Sequence, residues 1–179
     1  IVVAPDLISG ISSEYEKTMD YPNSDQARTS IYALKQQEVL NDLDAVFTYA
    51  ENIPAGTGQV AVMGFCWGGS QTFTYAAHND RLLAAMVFYG TGPKNEALYE
   101  NITAPIYGFY GGSDQRVNAT LPASEAAMKQ YQKQYEYEIY EGAGHAYMRS
   151  GDDPNGSQEN VSARDKSWQR IKAILKHSN

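Results

Sequence analysis

The residue best suited to chemistry is Cys66, the single cysteine of the chain. It lies between a predicted strand and a predicted helix, in the run Gly64-Phe65-Cys66-Trp67-Gly68-Gly69. This arrangement is typical of a nucleophile elbow, a turn so tight that flanking side chains would clash and the nucleophile is strained. The helix N-terminus beside the sulfur favours a thiolate and can stabilise an oxyanion. We predict a nucleophile; the alternative is a buried structural cysteine in a glycine-rich turn.

Asp114 and His145 are candidate partners of Cys66, because each follows a predicted strand. The strand at 105–110 runs into Gly111-Gly112-Ser113-Asp114, and the strand at 137–140 runs into a loop that ends at His145. Residues beyond the carboxyl ends of parallel strands meet over one sheet edge. Taken singly, Asp114 is more often a turn residue and His145 a loop residue. Their order, nucleophile then acid then histidine, is that of an α/β-hydrolase triad.

The elements that must position these residues alternate between short apolar runs and longer amphipathic stretches. This pattern predicts an α/β fold, with a mostly parallel sheet flanked by helices in one domain over residues 1–179. A domain of this length buries roughly 70% of its unfolded surface. The predicted strands lie at 1–4, 59–63, 84–89, 105–110 and 137–140. One predicted helix has an apolar stripe and is ended by Pro54; the stripe consists of Val39, Leu40, Leu43, Val46, Phe47 and Ala50. A final predicted helix has a stripe of Val161, Trp168, Ile171, Ile174 and Leu175.

Composition excludes several classes of function. With 14 Lys plus Arg against 21 Asp plus Glu, the formal charge of −7 argues against nucleic acid or an anionic membrane as the main partner. One cysteine cannot form an internal disulfide, and three scattered histidines make a metal site improbable. Every apolar run falls far short of the roughly 20 residues that span a bilayer. We expect a soluble, cytoplasmic protein.

The sequence resembles the dienelactone hydrolases of the α/β-hydrolase superfamily over essentially its whole length. The resemblance implies hydrolysis of a small ester or lactone by a Cys66-His145-Asp114 triad, without metal or organic cofactor, in a monomer or homodimer. The motifs that carry it are Ala4-Pro5-Asp6-Leu7, the elbow run at 64–69, Gly111-Gly112-Ser113-Asp114 and Gly142-Ala143-Gly144-His145-Ala146-Tyr147-Met148-Arg149.

The resemblance also implies residues that bind the substrate. Family members hold the carboxylate of the substrate with two arginines, and Arg149 and Arg28 match their spacing. Alternatively, Arg28 is an exposed loop residue and Arg149 pairs with Asp152 or Asp153. Trp67 is expected to line the pocket and to donate its backbone N–H to the oxyanion hole. Tyr147 is also expected to line the pocket.

One departure from the family concerns the start of the sequence. Members carry strands before the position of Ile1, with a second oxyanion donor and a glutamate that interacts with the cysteine. We therefore expect the sequence to begin inside the fold. Losing one oxyanion donor costs roughly 10²- to 10³-fold in kcat, so the chain without those strands is expected to be poorly active.

Two other functions stay open at this point. The first is a broad carboxylesterase on neutral esters, in which Arg28 and Arg149 play no part in recognition. The second is a non-catalytic or redox-sensing relative in which Cys66 is oxidised reversibly. A sensor has no need of an aspartate and a histidine in hydrolase order, and the chain has no second cysteine to resolve an oxidised one.

Overall fold

The computed structural model describes residues 1–177 of the chain. By internal contacts the chain divides into two compact units, Ile1–Gln59 and Val60–Asn179. The first unit is helical, and the second contains the sheet and every residue of the expected triad. That residues 1–179 make a single domain stays a prediction.

The first unit holds a short 3₁₀ turn, Thr18–Asp20, and two helices, α1 (Ser24–Ala33) and α2 (Gln36–Glu51). Helix α1 begins after Asn23, whose side chain accepts the backbone N–H groups of the first helical turn. Helix α2 is the one predicted from the apolar stripe, and it buries Val39 and Phe47. It ends at Glu51, shortly before Pro54, as expected.

Residues 1–4 do not form the predicted strand. Ile1 and Val2 are 81% and 87% exposed, and the segment takes no part in the described sheet. A strand persists only where its backbone N–H and C=O groups pair with those of a neighbour. The apolar, β-branched composition of these residues indicates a preference for burial, but it cannot supply the pairing strand.

The second unit is built on a four-stranded parallel sheet in the order β1-β2-β3-β4. Its strands are β1 (Ala61–Phe65), β2 (Ala84–Phe88), β3 (Ile106–Gly111) and β4 (Tyr135–Tyr140). Its helices are α3 (Trp67–Ala76), α4 (Gln115–Asn118), α5 (Leu121–Gln130), α6 (Tyr147–Ser150) and α7 (Gln158–His177), with a 3₁₀ helix at Glu96–Asn101. The predicted parallel α/β class is confirmed, and four predicted strands lie within two residues of the observed bounds.

The strand sequences explain their places in the sheet. Strand β2 (Ala84–Phe88) is apolar throughout and fully buried, as an inner parallel strand covered on both faces requires. Strand β4 lies at the edge of the sheet and has Glu136 and Glu138 in alternation with Tyr135, Tyr137 and Ile139. Charged side chains on an edge strand discourage pairing with other chains.

Helix α7 packs through a face that only partly matches the predicted one: Ile171 and Ile174 are buried as predicted. Trp168 and Leu175 are 43% and 38% exposed, so their assignment to the apolar stripe is wrong. The small side chains of Ala163 and Ser167 allow close packing in their place. The face that packs inward consists of Ala163, Ser167, Ile171 and Ile174. No helix within residues 1–177 combines the length and the apolar character needed to cross a bilayer.

Candidate active site

Cys66 occupies a strained turn between β1 and α3. Its backbone has φ 54° and ψ −115°, a positive φ that side-chain-bearing residues rarely adopt. The turn is held at both ends: the Cys66 N–H donates to the Phe88 carbonyl at 3.0 Å, and the Cys66 carbonyl accepts from Ser70 N–H at 3.1 Å. Helix α3 begins at the next residue, Trp67. The strand-to-helix elbow predicted from the sequence is present.

The glycines around Cys66 differ in how much they are needed. A Cβ on Gly64 would lie 2.1 Å from the Gly68 carbonyl oxygen, and one on Gly69 would lie 2.5 Å from the Phe88 carbonyl oxygen. A Cβ on Gly68 would meet nothing within 4 Å. The expected clash is therefore confirmed for Gly64 and Gly69 and wrong for Gly68, because the start of α3 is open at that position.

Cys66, His145 and Asp114 form a continuous hydrogen-bonded row. The Sγ of Cys66 lies 3.1 Å from Nε2 of His145, and Nδ1 of His145 lies 2.5 Å from Oδ2 of Asp114. The Asp114 side chain is 5% exposed, whereas that of His145 is 31% exposed. The row thus runs from a buried carboxylate through an imidazole to a thiol. Such an arrangement can move a proton between the sulfur and the imidazole.

Asp114 is held in place by the start of α4 (Gln115–Asn118). Its Oδ1 accepts the Val117 backbone N–H at 3.3 Å, which is the usual role of an N-cap side chain. Its Oδ2 remains directed at His145. One carboxylate therefore caps a helix with one oxygen and orients the imidazole with the other.

The loops that carry Asp114 and His145 are tied to one another by their backbones. The Gly112 N–H donates to the Tyr140 carbonyl at 2.7 Å, and the Ser113 N–H donates to the Ala143 carbonyl at 2.9 Å. Strands β3 and β4 are paired up to Gly111 and Tyr140. Hydrogen bonding thus continues past the ends of the strands, so the acid and the histidine are positioned together.

Tyr89 is a site residue that the sequence reasoning missed. It follows β2 with φ 39°, is buried, and sets its ring edge against the His145 imidazole with centroids 5.1 Å apart. Burial raises the pKa of Tyr89 above its ordinary value, and negative charge at the Cys66 sulfur acts in the same direction. The phenol therefore stays protonated at neutral pH. Its place directly after a strand, beside the elbow, was the available signal.

Trp67 is half-buried and is the first residue of α3. Backbone N–H groups in the first turn of a helix have no carbonyl partner within that helix. The Trp67 amide therefore has the properties that an oxyanion donor requires, and this role stays a prediction.

Arg149 lies exposed on the short helix α6 (Tyr147–Ser150). The alternative that it pairs with Asp152 or Asp153 is not realised, because Arg164 takes Asp152 at 2.9 Å and Arg149 makes no ion pair within residues 1–177. Its positive charge reaches the Tyr89 hydroxyl, where it partly opposes the rise in the pKa of that group. Within residues 1–177 the guanidinium therefore has no carboxylate partner, and its charge acts on a tyrosine that packs against His145.

Tyr147 does not line an open pocket. Its side chain is fully buried, its hydroxyl lies 2.7 Å from the Ser167 hydroxyl, and its ring packs edge-on against Tyr89 and Tyr140. As the first residue of α6, Tyr147 fastens that helix to α7 through this hydroxyl pair, and its contact with a substrate stays a prediction. Burial raises the pKa of Tyr147 as well.

Arg28 belongs to the first unit, on α1 (Ser24–Ala33). Its side chain is 67% exposed and forms an ion pair with Asp25 at 2.9 Å, one turn earlier on the helix. Exposed pairs of this kind contribute at most about 1 kcal/mol, so the guanidinium exchanges partners easily. A role for Arg28 in binding a carboxylate stays a prediction.

Within residues 1–177, no three His, Cys, Asp or Glu side chains lie close enough together to hold a metal ion.

Comparison with known proteins gives the family. The sequence matches the Dienelactone hydrolase family over residues 1–179. The chain belongs to the dienelactone hydrolase family. A family member from Escherichia coli K12, assigned as a carboxymethylenebutenolidase, is 35% identical over 144 residues, which is 75% of this chain and 52% of that protein. One from Saccharolobus solfataricus with the same assignment is 34% identical over 133 residues, covering 74% of this chain and 50% of the relative.

A solved dienelactone hydrolase structure supports the fold. The crystal structure of a Klebsiella pneumoniae protein assigned as a dienelactone hydrolase superposes on this chain with a TM-score of 0.74 at 26% identity. The superposition covers 88% of this chain and 69% of the Klebsiella protein. The chain spans about half the length of the two curated relatives it matches. The α/β-hydrolase fold expected from the sequence is confirmed.

The elbow geometry predicts opposite outcomes for two glycines four residues apart. Gly64→Ala is expected to lower the free energy of unfolding by about 1–3 kcal/mol, because its Cβ would overlap a backbone carbonyl that cannot move aside. Gly68→Ala, the matched control, is expected to leave it unchanged or to raise it by up to about 1 kcal/mol. Urea unfolding of both variants measures the difference. Equal losses would contradict the clash.

Proposed function

We propose that this dienelactone hydrolase family member hydrolyses a carboxylic ester or lactone through Cys66, in the manner of a carboxymethylenebutenolidase. The observation that carries the proposal is the row of Cys66, His145 and Asp114, with contacts of 3.1 and 2.5 Å, set on a strained elbow. The assigned activity of the relatives supports the same class of reaction.

The first half-reaction acylates the cysteine. Nε2 of His145 accepts the Cys66 thiol proton as the sulfur attacks the carbonyl carbon of the ester, giving a tetrahedral oxyanion. The Trp67 backbone N–H, at the start of α3, donates to that oxyanion. When the carbon–oxygen bond breaks, the leaving alkoxide or enolate takes the proton back from His145, and a thioester on Cys66 remains.

The second half-reaction hydrolyses the thioester. A water molecule gives its proton to Nε2 of His145 and adds to the thioester carbonyl, and collapse of this second tetrahedral intermediate expels the sulfur. The sulfur recovers its proton from the imidazolium, and the carboxylic acid leaves. Asp114 takes up no proton in either half-reaction: its carboxylate accepts the hydrogen bond from Nδ1–H of the imidazole and stabilises the imidazolium.

A cysteine nucleophile suits a particular kind of ester. A thiolate is a weaker base than a serine alkoxide, so it is expelled more readily than a poor alkoxide leaving group. Acylation therefore proceeds forward when the leaving group is itself stable, such as an enolate from an enol ester or enol lactone. The nucleophile thus favours activated esters as substrates.

Charge near the site favours a substrate that carries a carboxylate. Arg149 makes no ion pair within residues 1–177, yet its charge reaches Tyr89, which packs on His145. A guanidinium can hold a carboxylate with two parallel hydrogen bonds. We assign Arg149 to the carboxylate of the substrate and keep Arg28 as the second candidate.

Removing the nucleophile tests the reaction. Cys66→Ala is expected to lower hydrolysis of a chromogenic short-chain acetate by several orders of magnitude, because the covalent route is lost. Alkylation of the wild-type thiol should have the same effect. Lys172→Ala, an exposed change on α7, serves as the control and should keep full activity. Full esterase activity in Cys66→Ala would make the proposal wrong.

Paired substrates test the role of Arg149. For an ester with a distal carboxylate, Arg149→Gln should lower kcat/KM roughly thirtyfold, as expected when a charge-assisted hydrogen bond of about 2 kcal/mol is lost. For the neutral isostere, kcat/KM should stay within about twofold of wild type by the same reasoning. Equal activity of the wild type on both esters would instead identify a broad carboxylesterase for neutral substrates.

A further inference from the structure

Within residues 1–177, one side chain of helix α7 forms a hydrogen bond to the loop that carries His145. Asn160 lies in the first turn of α7 (Gln158–His177), and its Oδ1 accepts the Gly144 backbone N–H at 2.9 Å. Gly144 directly precedes His145 in the chain. The contact therefore acts on the residue immediately before the one that carries the imidazole.

Apart from this bond, the hydrogen bonds that reach residues 141–144 from elsewhere within residues 1–177 come from the Asp114 loop. The Asp114 loop holds the histidine loop through the backbone hydrogen bonds of Gly112 and Ser113. The histidine loop also contains two residues with positive φ, Gly142 at 72° and Ala146 at 61°. A loop bent in this way needs support to keep one conformation. Asn160 supplies it from the α7 side.

Asn160 is itself firmly placed. Its backbone N–H donates to the Ser157 hydroxyl at 3.3 Å, which fixes the start of α7. Its carbonyl lies against Gly151, where an added Cβ would come within 2.5 Å of it. Arg164 then bonds both the Gly151 carbonyl and Asp152. The Asn160 side chain thus extends toward the histidine loop from a backbone that is held by these contacts.

The direction of the Asn160 side chain distinguishes it from an ordinary helix cap. A polar side chain three residues into a helix commonly turns back to bond the N-cap backbone. Here the Ser157 hydroxyl makes the local capping bond, and the Asn160 oxygen bonds the histidine loop instead. The helix start is satisfied separately, so the amide is available for the loop.

We propose that Asn160 is a positioning residue, which acts through Gly144 to hold the His145 imidazole between Cys66 and Asp114. The inference rests on the proposed function, because it assigns a role in the same reaction. A displacement of about 1 Å in a catalytic group can cost on the order of a hundredfold in rate, so a single loop contact has a measurable effect on turnover.

The test compares the side-chain oxygen with its absence. Asn160→Ala is expected to lower kcat about ten- to a hundredfold with KM within about twofold, because the imidazole is misplaced while substrate binding is kept. Asn160→Asp keeps an acceptor oxygen and should recover kcat to within about threefold of wild type by the same argument. Asn155→Ala, an exposed asparagine before α7, is the matched control and should match wild type. Rates are divided by the alkylatable Cys66 content of each sample.

The outcomes separate this inference from the proposed function. An unchanged kcat per thiol in Asn160→Ala, or an Asp variant as impaired as the Ala variant, would overturn the positioning role. Should Asn160→Ala not fold, Asn160→Ser carries the same expectation, since its hydroxyl is too short to reach Gly144. Wild-type activity that survives alkylation of Cys66 would overturn the proposed function instead.

Discussion

The strained backbone at Cys66 is the constraint on which the rest of the second unit depends. A positive φ at a residue with a side chain persists only where the surroundings hold it. Here helix α3 lies so close to β1 and β2 that Gly64 and Gly69 have no room for a Cβ, and β2 bonds the Cys66 amide. The sheet then brings the loops after β3 and β4 to the same edge, where their backbone hydrogen bonds set His145 against the sulfur.

The proximity of Cys66, His145 and Asp114 could be predicted from sequence because each follows a recognisable strand. Short apolar runs marked β1 to β4, since parallel strands buried on both faces need apolar residues at nearly every position. Glycines on both sides of a cysteine, a residue that can act as a nucleophile, marked the elbow. The chain order of Cys66, Asp114 and His145 matched the order in which the strands of such a sheet present these residues. Such patterns are local in sequence, and the rules of parallel sheets convert them into positions in space.

What sequence could not give was the direction in which a side chain faces after packing. Tyr147 lies two residues after the histidine and is expected at the pocket, but its ring is buried against Tyr89 and Tyr140 and its hydroxyl bonds Ser167. The spacing of Trp168 also fits an apolar helical stripe, yet Trp168 is exposed and α7 packs inward through smaller residues. Residues 1–4 show that strand composition does not make a strand without a partner. In the sequence Tyr89 is only the last residue of a predicted strand, and Asn160 belongs to no recognisable catalytic motif.

The central claim is that ester hydrolysis proceeds through a thioester on Cys66, and trapping that intermediate tests it most directly. The natural protein is mixed with an aryl ester whose leaving group departs readily, quenched in acid after brief reaction, and digested for mass spectrometry. The account predicts the acyl mass on the peptide that contains Cys66, released by hydroxylamine and absent once the thiol has been alkylated. Continued turnover with Cys66 unacylated, or with the acyl group on another residue, would contradict it.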